Sequence, residues 1–296
     1  MQVADLHTVP EGAYNIRENG AAAGRKTTAN IDIVSKTDKP GIDIIVKPGT
    51  KRESIHIPVI ISESGLKDLV YNDFYIGEDA DVTIIAGCGI HNCGDQDSAH
   101  DGIHSFHVGK GARVRYVERH YGEEEGTGEN IMNPTTIIEI DEGGYLEMET
   151  TQIKGIDSTI RNTNAVLGKD ATLIVKEKIM THGRQHAETV FNVDLNGERS
   201  STNVISRSVA KDVSTQTFLS KINGNAECYG HTECDAIIMD NASVRAIPEI
   251  TANDINASLI HEAAIGKIAG EQIIKLMTLG LTEQEAEEQI VNGFLK

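Results

Sequence analysis

The chain has 296 residues, a formal net charge of -18, four cysteines and only 4% aromatic residues, and its length allows one elongated domain or two compact ones. The negative charge and the lack of any basic run exclude nucleic acid as the expected partner, because phosphate contacts need clustered Lys and Arg. Four cysteines are too few for a disulfide framework in a chain this long, so we expect reduced thiols and a cytoplasmic location.

The N-terminal segment, residues 1–30, is polar and rich in Gly and Ala, and we expect it to pack loosely. Its first residues lack the basic and apolar regions of a signal peptide. No apolar stretch in the chain approaches the length of a membrane span, so no membrane contact is predicted.

Strand patterns occupy residues 31–260. Apolar runs such as 41–46 and 53–61 are short and are broken by Gly, Asn and Asp, which is typical of buried and half-buried strands. No long helix is indicated before residue 260. This part of the chain is therefore predicted to be the β core.

A degenerate repeat runs through this core. A turn residue precedes a three-residue unit of small, variable and apolar type, whose third residues are Val82, Val114, Leu146, Leu173, Cys228 and Val244. These third residues recur at a spacing of about 30 residues, which is typical of stacked β-coils. A β-sandwich with evenly spaced hairpins is the alternative. The spacing exceeds that of ordinary hairpins and favours a β-solenoid with these residues stacked inward.

The last segment, residues 261–296, is predicted to form two helices. Apolar residues take helical spacing after Gly266, and the first helix is expected to end near Leu279, before Gly280. Thr282 with Glu285 three residues on forms a capping box for the second helix. Such helices can cover the terminal coil of an open solenoid or present a docking surface.

One group of possible metal ligands is dense in the sequence: Cys88, His91 and Cys93, followed by His100, His104 and His107. Thiolate and imidazole ligands at short spacing suit zinc or iron. The spacing is not that of a zinc finger, and the alternative is that the histidines are polar loop residues. Cys88, His91 and Cys93 are therefore secondary metal candidates.

Two more cysteines lie in strand-like sequence near the end of the core. Cys228 fills an apolar position of the repeat, where a small buried hydrophobe is expected. Cys234 lies between two acidic residues, which raise a thiol pKa unless a cation such as His231 or His261 offsets them. His261 adjoins Glu262, and adjacent residues of a strand point to opposite faces. A purely structural role for this pair is the alternative.

Four stretches of this C-terminal part resemble the SufB/SufD family, the scaffold proteins of the SUF iron–sulfur cluster assembly system: 233–237 (ECDAI), 247–250 (IPEI), 261–268 (HEAAIGKI) and 280–286 (GLTEQEA). The resemblance covers about residues 30–296 and looks most like the short, single-scaffold (SmsB-like) version. It implies a right-handed parallel β-helix with a C-terminal helical region. It also implies that a SufC-like ABC ATPase docks on residues 261–296.

The resemblance also implies a site. Cys234 matches the cluster-assembly cysteine of SufB, Glu262 matches the SufB glutamate, and His261 matches the histidine that SufD contributes. A homodimer of this chain would supply all three for a transient iron–sulfur cluster, to be passed to apo recipient proteins. His120 stands where the family has a sulfur-receiving cysteine, so free sulfide is an alternative sulfur source.

We therefore expect a non-catalytic scaffold, with the ATPase activity in its partner. The alternatives are a β-helical enzyme acting on polysaccharide and a structural β-solenoid. The enzyme would need carboxylates and aromatic platforms along one β-face, and the aromatic content is low. A polymerising solenoid would need open ends, which the helical segment argues against.

Overall fold

The structure, a computed structural model, describes residues 10–123 and 126–296. The first nine residues of the expected N-terminal segment lie outside this range. The first ten strands are β1 (Ala13–Glu18), β2 (Ala21–Lys26), β3 (Ile31–Ser35), β4 (Gly41–Val46), β5 (Lys51–Ile61), β6 (Lys67–Ile76), β7 (Asp81–His91), β8 (Ser98–Val108), β9 (Arg113–Glu123) and β10 (Asn130–Met132). The other elements are β11 (Thr135–Ile140), β12 (Tyr145–Lys154), β13 (Ser158–Leu167), β14 (Thr172–Thr181), β15 (His186–Leu195), β16 (Ser200–Ala210), β17 (Thr215–Gly224), β18 (Cys228–Ile238), β19 (Ser243–Ala252), β20 (Ser258–Gly266), α1 (Gly270–Met277) and α2 (Glu283–Phe294).

Within the described residues, the strands form two ten-stranded sheets, and from β4 onward the chain alternates between them, except that β10 and β11 follow one another in the same sheet. Sheet A contains β1, β2, β5, β7, β9, β12, β14, β16, β18 and β20, and sheet B contains the other strands. Neighbouring strands are parallel, except that β2 runs antiparallel to β1 and β3 to β4. Long parallel strands that alternate between two sheets make a parallel β-helix, which confirms the predicted fold and excludes an antiparallel sandwich.

A residue with left-handed backbone conformation marks one corner of successive coils. These residues have φ between 54° and 71° and are Gly49, Asp79, Gly111, Gly143, Asp170 and Arg199. Gly adopts positive φ without strain, and Asp tolerates it better than most residues. Asp79, Gly111, Gly143 and Asp170 stand directly before four of the three-residue units that the sequence shows, so the repeat reflects the corner of these coils.

Four of the six predicted third residues stack in one ladder along sheet A, in which each is the register partner (the residue side by side on the neighbouring strand) of the next: Val82, Val114, Leu146 and Leu173. Cys228 is buried but lies two residues out of this register, since Gly230 continues the ladder. Val244 lies on β19 in sheet B and is half-buried. Both residues face the interior, as predicted, but neither lies in register with the other four.

The N-terminal end of the β-helix is closed by antiparallel strands. β1 lies beside the first long strand of sheet A, and its Ala13 and Asn15 are buried. β2 then adds an exposed antiparallel edge, while β3 does the same for sheet B. The structure thus differs from the expected loose packing, because β1 joins the core.

α2 lies against the side of the β-helix, and α1 contacts α2. α2 starts at Thr282, whose side chain forms the predicted capping box with Glu285. Val291 and Leu295 of α2 pack on Val209 of β16, whereas α1 buries no residue. Among the described residues, no helix is long and apolar enough to cross a membrane. Since β19 and β20 end the two sheets, the C-terminal end of the β-helix is open.

Candidate functional site

Cys234 lies in the middle of β18 and faces the interior, where its side chain is 1% exposed. Burial raises the pKa of its thiol to about 12, and the charges of Glu177 and Asp235 act in the same direction. The thiol is therefore protonated near neutral pH. A metal that binds Cys234 must displace this proton, since the thiolate is the ligand.

His261 on β20 faces the same interior. It is the register partner of Thr232, an inward-facing residue of β18, and its Nδ1 lies 2.6 Å from Thr232 Oγ1. Burial lowers the pKa of His261, and the nearby His231 lowers it further, so the imidazole is neutral and can act as a ligand. Ala263 is the register partner of Cys234, so the last coil places only a methyl group over the thiol.

Glu262 points to the outer face, as expected for the residue that follows His261 in a strand. It is the register partner of Glu233. His231 Nε2 lies 3.8 Å from Glu262 Oε2, and the ligand atoms of His231, Glu233 and Glu262 all lie within 4.8 Å of one another. The structure thus brings Cys234 and His261 to one side of the last sheet layer and Glu262 to the other.

His231, Glu233 and Glu262, called the outer cluster below, were not predicted as a set of ligands from the sequence. His231 and Glu233 share a face of β18 because they are two residues apart, a pattern that the sequence shows. Their meeting with Glu262 depends on the β18–β20 register, which the sequence pattern does not fix.

The secondary metal candidates do not share one face of the sheet, because Cys88 and His91 point to opposite sides of β7. Cys88 is 2% exposed inside the β-helix, and burial raises its pKa well above the usual value. His91 points outward, its Nε2 is 3.0 Å from the sulfur of the exposed Cys93, and its Nδ1 contacts the carboxylate of Glu123. The structure does not bring Cys88 together with His91 and Cys93.

The three histidines that follow are held by polar partners. His100 Nδ1 lies 3.1 Å from Asp68 in the interior, and His104 Nδ1 lies 2.8 Å from the Tyr116 hydroxyl. Burial lowers the pKa of His104 to about 4. His107 lies on the outer surface, where it contacts Glu139 and stacks on the ring of Tyr75.

A chain of buried charges runs through the interior toward Cys234. Arg161 donates to Glu118 at 2.7 Å, and its Nε lies 3.5 Å from Glu177. Glu177 accepts from Ser206 at 2.9 Å, and Ser206 is the register partner of Cys234. This network fixes the negative charge that helps to raise the thiol pKa.

Comparisons with known proteins place the chain among its relatives. The family described as "SUF system FeS cluster assembly, SufBD core domain" matches residues 70–294. The chain is 33% identical over 258 residues to an iron-sulfur cluster assembly SufBD family protein of Methanocaldococcus jannaschii. This match covers 85% of the present chain and 79% of the relative. A relative of the same description from Archaeoglobus fulgidus is 32% identical over 88% of this chain and 69% of its own length.

The likeness extends to bacteria. The iron-sulfur cluster assembly protein SufB of Bacillus subtilis is 27% identical over 227 residues, and this match covers 75% of the chain and 47% of SufB. The chain thus spans about half of that protein's length. The family match alone covers most of the chain and includes β18, β20 and both helices. The chain therefore belongs to the SufBD family.

Proposed function

We propose that this protein is a scaffold on which an iron–sulfur cluster is assembled before transfer to apo recipient proteins, without catalytic turnover of its own. The observation that carries the proposal is the placement of Cys234 and His261 on the inner face at the open end of the β-helix. The names of the relatives, which refer to iron–sulfur cluster assembly, support the same conclusion.

The site is completed by a second copy of the chain. Iron–sulfur clusters are usually held by four ligands, most often thiolates, and this end of one chain offers Cys234 and His261. A two-fold junction places the same surface of each subunit together and doubles the set. We propose that Cys234, His261 and Glu262 of two subunits hold the transient cluster, with Glu262 contributed from the outer rim of β20. Mixed thiolate, imidazole and carboxylate ligation favours release of the cluster.

A SufC-like ABC ATPase is the proposed partner of the helical region, in the cytoplasm, where thiols stay reduced. Its support is the exposed apolar surface of α1 and the residues that follow it: Ile274 is 63% exposed and Leu279 is 76% exposed. Apolar side chains clustered on a protein surface commonly mark a contact with another protein.

Anaerobic reconstitution with iron and sulfide tests the scaffold. We expect Cys234→Ser to keep the far-UV circular dichroism and the dimer of the wild type and to lose the visible absorbance of the cluster. The control, Cys88→Ser combined with Cys93→Ser, should retain that absorbance. Loss of the cluster in the control and its retention in Cys234→Ser would show that the site is wrong.

Co-purification with the ATPase tests the partner. Deletion of residues 265–296 should abolish the complex, and Ile274→Asp with Leu279→Asp should weaken it without loss of the β-helix. Leu69→Asp, at a 43% exposed apolar residue of β6 in sheet B, is the control away from both the helices and the open end and should bind normally. Unchanged binding by the helix variants would place the docking surface elsewhere.

A further inference from the structure

Two carboxylates lie side by side on the outer face of the last two coils. Glu233 of β18 and Glu262 of β20 are register partners, and like charges placed opposite one another destabilise a sheet. Burial raises the pKa of Glu233, and a hydrogen bond with Asp235 raises it further, although the charge of Arg207 opposes this. Negative charge is therefore concentrated at one point of the surface.

Elsewhere on the outer surface such carboxylates are matched by a cation. Lys176 binds Glu147 from the next coil at 2.7 Å. The closest parallel is Asp43 and Asp73, which are also register partners, and there Lys36 binds both carboxylates.

At the outer cluster the corresponding place is taken by His231. Within the described part of the chain, His231 is the ion-pair partner of Glu262, at 3.8 Å. An imidazole carries at most one positive charge, whereas two carboxyl groups, those of Glu233 and Glu262, lie beside it and a third, that of Asp235, is hydrogen-bonded to Glu233. The charge of Arg207 also acts on Glu233, but among the described residues no lysine or arginine forms an ion pair with both carboxylates, as Lys36 does at Asp43 and Asp73.

His231 is oriented as a ligand. Its Nδ1 lies 2.9 Å from Oδ1 of Asn203, one coil below. Because an amide oxygen only accepts, Nδ1 carries the proton, and the lone pair of the neutral imidazole is on Nε2. Nε2 is the atom that faces the carboxylates. Metal-binding histidines are held in this way, with the second ring nitrogen donating to an oxygen of a neighbouring group.

We propose that His231, Glu233 and Glu262 form a mononuclear site for a divalent transition-metal ion on the outer face of the last two coils. The side chain of Glu262 is 66% exposed, so it can rotate to close the ligand atoms, now within 4.8 Å of one another, around an ion. One imidazole and two carboxylates suit iron(II), manganese or zinc and disfavour a soft ion such as copper(I).

The choice of iron(II) among these ions rests on the proposed function. Glu262 adjoins His261 in the chain, so an iron ion on the outer face would be held across the last sheet layer from the proposed inner ligands Cys234 and His261. The outer site would then hold iron before the thiol of Cys234 loses its proton. Glu262 is the residue that the two sites have in common.

Metal titration of the purified full-length protein, without sulfide, tests the site. We expect one iron(II) per chain by anaerobic calorimetry, and at least ten-fold weaker binding for both His231→Ala and Glu233→Gln. Asn203→Ala keeps all three ligands and removes the orienting hydrogen bond, so affinity should fall by about 10-fold or more. Asp43→Asn, in the pair compensated by Lys36, is the matched control and should bind like the wild type.

Cobalt(II) as a probe separates the site from the thiol. We expect a visible spectrum without thiolate-to-cobalt charge transfer, unchanged in Cys234→Ser. Wild-type affinity in His231→Ala and Glu233→Gln, or loss of binding in Cys234→Ser, would overturn the inference. A protein that binds iron(II) here but yields no cluster with sulfide would retain this site and refute the scaffold. Cluster formation by the wild type, together with unaltered iron(II) binding in Glu233→Gln, would refute this site and retain the scaffold.

Discussion

Removal of Arg161 is expected to destabilise the protein through charges left in its interior. Arg161 is 3% exposed and is the cation between Glu118 and Glu177, at 2.7 and 3.5 Å. Arg161→Met keeps most of the side-chain length and removes the cation that the two carboxylates share. Removing one partner of a buried ion pair costs about 3–5 kcal/mol, so we expect the free energy of unfolding at pH 7 to fall by about that amount.

The loss should depend on pH. In the wild type, burial opposes ionisation of Glu118, but the charges of His120 and Arg161 hold its pKa well below the usual value. A carboxyl group with a lowered pKa stabilises the fold above its unfolded pKa of about 4.3 and loses that effect as pH falls through its folded pKa. Burial already raises the pKa of Glu177, against the charge of Arg161. Without Arg161 both pKa values rise, and proton uptake relieves the buried charge. The difference from the wild type should therefore shrink between pH 7 and pH 5.

Urea denaturation at both pH values measures the effect. Lys176→Met is the matched control, because Lys176 is on the outer face next to Glu177 and pairs with Glu147 at 2.7 Å. Its side chain is 46% exposed, and the loss of an exposed pair costs about 0.2–1 kcal/mol. The reasoning is refuted if Arg161→Met loses no more stability than Lys176→Met at pH 7, or if its loss is the same at pH 5.

Two further predictions concern the backbone and the thiols. Gly155→Ala should prevent stable folding, because φ is 72° and the new Cβ would lie 1.9 Å from the carbonyl oxygen of Gly122. Gly143→Ala, with φ of 69° and open space around it, should cost only about 1–2 kcal/mol; similar melting temperatures for the two variants would contradict this. Iodoacetamide at pH 7.5 should alkylate the exposed Cys93 well before Cys234, whose pKa burial raises to about 12. Equal rates in peptide mass spectra would show that the Cys234 thiol is accessible and acidic.

The fold could be predicted because its signals are local and recur in each coil. The pattern of a left-handed turn residue, a small residue and then an apolar residue can be recognised without knowledge of distant contacts. Val82 and Leu173, the first and last of the four stacked residues in sheet A, both fit this pattern. Register carries no such local signal. Cys228 and Val244 have the right neighbours in sequence, yet one is shifted by two residues and the other lies in the second sheet.

The site was only partly predictable for the same reason. The resemblance to the SufB/SufD family predicts Cys234, His261 and Glu262 as ligands, and alternation along a strand separates the last two. The buried network could not be predicted, because Glu118 and Arg161 are 43 residues apart. A charged residue at an inward position looks, in sequence, like one at an outward position.

The two ends of the β-helix differ in a way that bears on the proposed dimer. Antiparallel strands close the N-terminal end, whereas β19 and β20 end the two sheets at the other. Unpaired strand edges favour association with another chain, and the last coil packs only Ala246, Ala257 and Leu259, all partly buried, against the main core. Over the thiol of Cys234 this coil has only the methyl group of Ala263. A second copy docked on this end would cover the edges and meet Cys234 and His261 directly beneath, so the feature that leaves the fold incomplete is the one that would complete the site.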